Sequence, residues 1–585
     1  MKKLLHGVLF ALAFILSTNL LAQGTWATLT NTAPDYNGGV MLLLTDGTVM
    51  VLTETGPGGF GNTWDLLTPD SKGSYLNGTW TQLPPMNDGR LYCATQVLPD
   101  GNVYVAGGEY GDGDSTGELY NTTTQTWTYI TGTPASWHYL DGASELLYDG
   151  TVLQSVVVSP GFNNTGMSID NMIYNESGNI FDSAAESFGG HDEASWVKLP
   201  DSSIINIDLE TKNSERYIPQ LKRWVKDATL KNEVYDFGLG ETGPGFLLPN
   251  GKLFFLGDST YSAIYTPSGT AKAGSWIQGP AMPVVAGVKL GCPDAPAAMM
   301  PNGNILCAFS PAGTYNSPEY FFEYNYLANT FMQVSAPGGS TGDTISGVPA
   351  YATNMLNLPD GTILFSDQGD NQYYQYTPSG TPLAAGKPTI DHITSICPNF
   401  MIAGKLFNGI SEGAAYGDDW QMATNYPIVR LTSGTNVYYA RTTNWNRVGA
   451  VMTGNAEDTA YFTIPAMPNG TYSVEVIANG IASAAYTLKL PCTPSGIEPV
   501  VSLGNIAKVF PNPSNGKYTI ELPAGTNNWS ADVYNALGQK VFSQVSIYNS
   551  QSVIDLGMQS AGFYLYRVTS ANGILLGSGK LILQK

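Results

Sequence analysis

QVLPDGNVYVAGG, residues 96–108, carries the pattern from which the fold is read: an apolar stretch, a Pro-Asp-Gly turn, then a strand of alternating apolar residues. Asp-Gly and Asn-Gly favour the positive-φ turns that join adjacent antiparallel strands. The pattern returns as LLLTDGTVMVLT (42–53), ELLYDGTVLQSV (145–156), VKLPDSSIINID (197–208), FLLPNGKLFFLGD (246–258), AMMPNGNILCAFS (298–310) and LNLPDGTILFSD (356–367). With Asp46, Asp100, Asp149, Asp201, Asn250, Asn302 and Asp360 as markers, the successive steps are 54, 49, 52, 49, 52 and 58 residues. Seven copies at this spacing have the period of a four-stranded β-propeller blade. The strands are apolar on both sides because neighbouring blades pack face to face. TWTQLP (79–84) and TWTYI (126–130) fit outer strands, and Trp26 in GTWATL is expected to supply the outer strand that completes the last blade and closes the ring. An open β-solenoid is the alternative, but its repeats are usually shorter.

At 585 residues the chain is too long for one core, and roughly two to four domains are expected. Hydrophobic residues make up 43% and charged residues only 12%, with 66 Gly and 34 Tyr, a mixture that excludes wholesale disorder and suits turn-rich β structure. The net charge of −21 makes nucleic acid and anionic membranes poor partners, and cations or neutral sugars better ones.

Lys2-Lys3 followed by the apolar stretch from Leu4 to Leu16 and a small residue at Ala22 reads as a signal peptide, residues 1–22. No cysteine follows closely, which argues against a lipid anchor, and no later apolar run is long enough to cross a bilayer in the mature form. Cys93, Cys292, Cys307, Cys397 and Cys492 show no C-x-x-C spacing, which argues against zinc. Cys397 and Cys492 bracket one expected domain and are a candidate disulfide; buried free thiols are the alternative.

The repeat occupies residues 23–388 and is lost from 389 to 491. There YPIVRL (426–431), NVYYART (436–442), AYFTIP (460–465), GTYSVEVIANG (470–480) and AYTLKL (485–490) alternate like the strands of a small immunoglobulin-like sandwich. Residues 492–504, with Pro494, Gly496 and Pro499, read as a linker, and 505–585 as a further small β unit.

Two resemblances add to this. VFPNPSNGKYTIELP (509–523), VYNALGQKVF (533–542), IDLGMQSAGFYLYRV (554–568) and the basic end at Lys585 resemble the type A sorting domain of the Bacteroidetes type IX secretion system. That resemblance implies engagement of the type IX machinery through residues 505–585, passage across the outer membrane, removal of the tag, and release or attachment at the cell surface. Upstream, GRLYCATQVLPDGNVYVAGGEY (89–110), DAPAAMMPNGNILCAFSP (294–311), FNGISEGAAYGDDWQMATNYPIVRL (407–431), VYYARTTNWNRVGAVMTG (437–454) and VIANGIAS (476–483) resemble the kelch proteins related to galactose oxidase and glyoxal oxidase, over roughly residues 24–490. The implied architecture is all-β: a seven-bladed kelch-type propeller, then an immunoglobulin-like (early-set) sandwich.

In those oxidases two tyrosines and two histidines hold copper, and one tyrosine is cross-linked to a cysteine. The resemblance aligns Cys93 with that cysteine and Tyr351 with the axial tyrosine. It puts Ala352 in one histidine position and Thr443 and Asn444 near the other. After residue 22 only His138, His191 and His392 remain, none in either position. Ala and Thr cannot replace imidazole, so copper-radical chemistry is not expected.

A different site is expected from register. Eight or nine residues before each marker, at one end of an inner strand, stand Tyr92, Asp141, Asp192 and Glu193, Glu241, Asp294 and Tyr351; Arg90, His138 and His191 lie at ten or eleven. Candidate ligand-binding residues at the propeller mouth are therefore Arg90, Tyr92, Cys93, Asp141, His191, Glu193, Glu241, Asp294 and Tyr351. Converging carboxylates invite a cation such as calcium, or a hydroxyl-rich sugar. The alternative is that these acids hydrogen-bond loop backbone, as Asx turns do. Gly111-Asp112-Gly113-Asp114 lacks the later acid of a calcium loop and reads as a surface turn, and Asp418-Asp419 as a turn cap between propeller and sandwich. No G-x-S-x-G nucleophile elbow is expected, and no P-loop or H-E-x-x-H is present. The expected function is a secreted or cell-surface binding module for carbohydrate or another extracellular ligand, without catalysis. The alternative is an oxidase-like or hydrolytic enzyme acting on carbohydrate.

Overall fold

The computed structural model describes residues 23–53, 60–161, 166–208, 211–236, 238, 240–339, 344–416, 424–450, 456–492, 506–523, 526, 528–535, 539–546, 550–570 and 575–585. Residues 1–22, expected as a signal peptide, residues 493–504 of the expected linker, and Asp418-Asp419 lie outside them. The chain divides into two compact units, Met1–Cys492 and Thr493–Lys585. Among the described residues no helix is long and apolar enough to cross a membrane.

Each turn marker joins the first two strands of a different antiparallel sheet. The inner strands are Gly38–Leu43, Ala94–Val97, Ser144–Leu146, Val197–Lys198, Gly245–Leu247, Pro296–Met299 and Thr353–Asn357. One local device makes all seven turns. The marker's side-chain Oδ1 accepts the backbone N–H two residues on, at 2.8–3.2 Å in every copy. The residue after the marker is then left-handed: glycine at φ 77–86° in six copies, and Ser202 at 67° in the fourth. Thr25–Thr28 pairs with Tyr374–Thr377, Trp26 opposite Tyr376, so the first strand completes the last sheet. The Trp26 indole packs against Phe321 and Phe365 and donates to Ser335 O at 2.6 Å, tying that sheet to the preceding one.

Residues beyond the repeat form an eight-stranded antiparallel system in which Asn436–Thr443 pairs with Ile428–Ser433 through its first half and with Asp458–Thr463 through its second. Cys397 and Cys492 are joined in a disulfide. This part packs on the hairpin-turn ends of the repeat sheets. The Tyr439 ring lies where a Cβ on Gly47 would fall, Val437 N donates to Ser71 O at 2.9 Å, and Tyr426 donates its hydroxyl to Leu43 O. Between its strands the chain runs back along the inner strands. Ala414–Tyr416 pairs with Pro296–Met299, Met299 N donates to Gly413 O at 2.7 Å, and Glu412 N donates to Leu247 O at 2.9 Å. Asn425 holds that excursion in shape, its amide donating to Asn408 O and Ser411 O at 2.8 Å each.

The second unit has two sheets, Lys508–Phe510, Lys517–Glu521 and Gln551–Asp555 in one, and Lys540–Ser546, Trp529–Tyr534, Gly562–Ser570 and Leu575–Leu583 in the other. Tyr518, Ile520, Trp529, Val533, Ile554 and Val568 form its own core.

Candidate functional site

At the ends of the inner strands remote from the marker turns, a cavity of about 340 Å³ opens. The backbone sets up its walls. Tyr92, Glu193 and Asp294, each eight residues before its marker, all adopt left-handed φ, at 51°, 51° and 48°. That conformation is uncommon outside glycine and is retained only where surrounding structure imposes it.

Four tyrosines line the cavity as two edge-to-face pairs, Tyr92 with Tyr110 at 6.3 Å between centroids and Tyr315 with Tyr351 at 5.3 Å. Four carboxylates join them: Glu109, Glu193, Glu241 and Asp294. Glu193, Glu241 and Asp294 each bring an oxygen within 4.8 Å of the other two, and Glu109, Asp141 and Glu193 do the same. Glu193 is common to both groups. No Lys, Arg or His lines the cavity among the described residues.

Burial and hydrogen bonding first, and neighbouring negative charge second, shift the titration of several of these groups and of Asp192. Burial raises the Glu109 carboxyl above its ordinary value, against a hydrogen bond from Tyr110, and the charges of Glu241 and Asp192 push it further. Asp192 is raised by burial and by Glu241, while its hydrogen bond with Asp141 opposes the shift. The Tyr110 phenol is pushed up to about 12, first by its hydrogen bond to Glu109 and then by burial. Burial and the hydrogen bond to Glu241 hold the Tyr315 phenol far above the usual range, so it remains a donor.

Of the residues expected from register, Tyr92, Glu193, Glu241, Asp294 and Tyr351 line the cavity, and Asp141 joins its carboxylates. Three do not line it. Arg90 is fully buried and serves the loop behind it. Its Nη1 donates to Gly107 O and Gly113 O at 2.6 Å each, and its Nη2 to Glu118 Oε1 at 3.1 Å. A guanidinium buried this deeply needs such acceptors on every side. His191 is 3% exposed, with Nε2 3.0 Å from Glu215 Oε1 and its ring against Trp196 and Trp224. Cys93, at the start of its inner strand, is buried in the apolar core and outside any disulfide.

Glu109, Tyr110 and Tyr315 went unnoticed in the sequence because they follow the second strand of a sheet rather than precede the first. Antiparallel pairing brings the end of the second strand beside the start of the first, so residues just past each second strand reach the same side as those before the first.

Copper does not fit this donor set. Tyr351 and Ala352 share the short turn Ala350–Ala352, so no imidazole follows the tyrosine. Thr443 and Asn444 are at the other end of the sheets, where Asn444 N donates to Pro99 O next to a marker. His138 binds Asp114 through Nδ1 at 2.8 Å, and His392 lies on the strand Thr389–Ile396. Carboxylates and phenols are hard oxygen donors, suited to calcium-class cations and to hydroxyl groups.

Comparison with known proteins agrees at the level of fold and export. Residues 508–584 match the family model for the secretion system C-terminal sorting domain, and residues 90–134 that for the kelch motif. No curated protein matches the chain. Among solved structures, a novel fungal alcohol oxidase of the AA5 family in complex with copper is 11% identical, with 96% of this chain and 100% of that chain covered and a TM-score of 0.47. A catalytically inactive virginiamycin B lyase from Staphylococcus aureus with quinupristin is 11% identical, covering 61% of this chain and 99% of its own, with a TM-score of 0.42. Neither likeness carries an argument. Taken with the strand order, the two family matches make this an all-β, secreted or cell-surface protein with a kelch motif and a C-terminal sorting domain.

Proposed function

We propose that the chain is a non-catalytic binding protein that takes an extracellular carbohydrate in the cavity between the two tyrosine pairs. On this reading residues 1–22 are cleaved on export, and residues 505–585 direct type IX secretion before release or surface attachment. One observation carries the proposal: aromatic faces and carboxylates meet in one open cavity with no basic side chain in its lining among the described residues. Tyrosine rings pack against the C–H faces of a sugar, and carboxylate oxygens accept its hydroxyls.

Binding of a panel of neutral oligosaccharides by the purified protein, followed by calorimetry, tests the reading. Saturable heat that is lost in Tyr351→Ala supports it; no heat from any sugar overturns it. A carbohydrate-active enzyme is the second reading, favoured by the carboxyls of Glu109, Asp141 and Glu193 standing close together with that of Glu109 raised by burial, the direction a general acid requires. Release of reducing ends from the same panel, abolished in Glu109→Gln, would replace the first reading with the second.

A further inference from the structure

We infer that Glu193, Glu241 and Asp294 form a binding site for one divalent cation of the calcium class. The three residues precede three successive inner strands, Val197–Lys198, Gly245–Leu247 and Pro296–Met299, so each is carried by a different sheet. One oxygen from each lies within 4.8 Å of the other two. Calcium binds oxygens at roughly 2.3–2.6 Å, so oxygens on one ion can stand up to about 5 Å apart. The set therefore fits an ion as it stands.

A cluster of acids alone would be weak ground, and Glu241 supplies a separate observation. It is 5% exposed, and its Oε1 accepts the hydroxyl of Tyr315. Its Oε2 is buried and has no hydrogen-bond partner among the described residues. An ionised carboxylate oxygen withdrawn from water and given no donor is costly, and no basic side chain in the cavity lining offsets it. A cation shared with Glu193 and Asp294 does. The donors are all oxygen, with neither thiolate nor imidazole, which selects a hard ion. Three carboxylates from three sheets in an open cavity leave coordination positions for water and for a ligand's hydroxyls, and calcium accepts such irregular shells where magnesium demands an octahedron.

The site stands on its own geometry; its use in recognising a sugar rests on the preceding proposal. Full-length protein stripped with chelator is titrated with calcium by calorimetry, and with terbium while exciting tyrosine, because Tyr315 and Tyr351 line the same cavity. One saturable site is expected, with sensitised terbium emission displaced by calcium and a rise in melting temperature that equimolar magnesium does not match. Glu241→Gln and Asp294→Asn should each weaken calcium at least tenfold, whereas Asp182→Asn on an outer strand should not. Absence of calcium heat and of terbium emission in the unmodified protein overturns the inference, as does unchanged affinity in a Glu241→Gln protein with native circular dichroism. Should that variant misfold, Glu193→Gln takes its place with the same criterion. Sugar binding that ignores calcium removes only the ion's part in recognising sugar, and calcium binding without sugar binding removes only the carbohydrate reading.

Discussion

The hydroxyl of Tyr315 donates to Oε1 of Glu241, across the rim of the cavity and between segments 74 residues apart in the chain. This one bond sets which carboxylate oxygen is occupied from within the protein; the other, Oε2, is buried with no hydrogen-bond partner among the described residues. Tyr315→Phe keeps the ring and its edge-to-face contact with Tyr351 while removing the donor. A hydrogen bond to a charged group contributes about 1.5–3 kcal/mol, so urea unfolding of the variant should show a loss in that range. Ligand affinity should fall as well, because Glu241 becomes free to rotate. Unchanged stability and affinity would mean the bond has no role in shaping the site.

Asp258, behind the cavity, lends itself to a test by pH. Its Oδ1 accepts from Gly313 N at 3.2 Å, its Oδ2 is buried without a hydrogen-bond partner, and burial raises its pKa from 3.8 to about 7, with Asp236 and Glu241 adding to the shift. A raised carboxylate pKa means the folded state binds the proton more tightly than the unfolded one. This residue therefore favours folding at pH below its unfolded value and opposes it progressively between about pH 4 and 7. Above pH 7 the penalty is complete, at most about 4 kcal/mol for a shift of this size. Asp258→Asn keeps the acceptor for Gly313 and removes the charge. In chelated protein the variant should exceed the unmodified chain in stability at pH 8 by a few kcal/mol, and the gap should close by pH 4. A constant gap across that range would contradict the assignment.

Much of the fold was legible because one local interaction is repeated. The marker's carboxylate or amide oxygen closes the turn onto the amide two residues ahead, and that requirement writes Asp or Asn into the sequence at each copy. The cavity was legible in part for the same reason: counting back from a fixed turn locates one end of a strand, and Glu193, Glu241 and Asp294 are found there. Register does not say which way a side chain turns. His191 stands two residues before Glu193 and enters an aromatic layer, because Trp196, Trp224 and Glu215 from its own sheet meet it there. Nor could spacing show that residues 412–416 run along the inner strands while Thr443 and Asn444 remain at the turns. That depends on long-range pairing of Ala414–Tyr416 with Pro296–Met299, for which local sequence carries no signal.

Ser202 is the exception among the seven turns, a non-glycine residue at φ 67° where the other copies have glycine. An L-residue in this conformation is strained by roughly 1–2 kcal/mol, part of which glycine would return through the greater freedom of its unfolded chain. Ser202→Gly is therefore expected to raise stability by about 0.5–1 kcal/mol, read as a higher urea midpoint with an unchanged m-value. A loss instead would show that the serine side chain, which is buried, has a packing role that outweighs its backbone strain.

Arg90 separates a supporting residue from a binding one. Its guanidinium is fully buried, donating to the carbonyls of Gly107, Gly113 and Thr116 and to Glu118, whose carboxylate in turn accepts from the backbone of Asn87 and Asp88. These contacts fix the loop that carries Glu109 and Tyr110 into the cavity. Lysine offers a point charge with three donors and no planar fork, so it cannot reach the same acceptors, and Glu118 is left buried with a poorer partner. Arg90→Lys should therefore cost about 3–5 kcal/mol, the range for breaking a buried ion pair. Because Glu193, Glu241 and Tyr351 approach the cavity from other segments, ligand affinity measured well below the melting temperature should drop modestly, through looser positioning of Tyr92, Glu109 and Tyr110. If Arg90→Lys instead melted like the unmodified protein and bound no ligand, the guanidinium would have to touch the ligand, which its complete burial forbids.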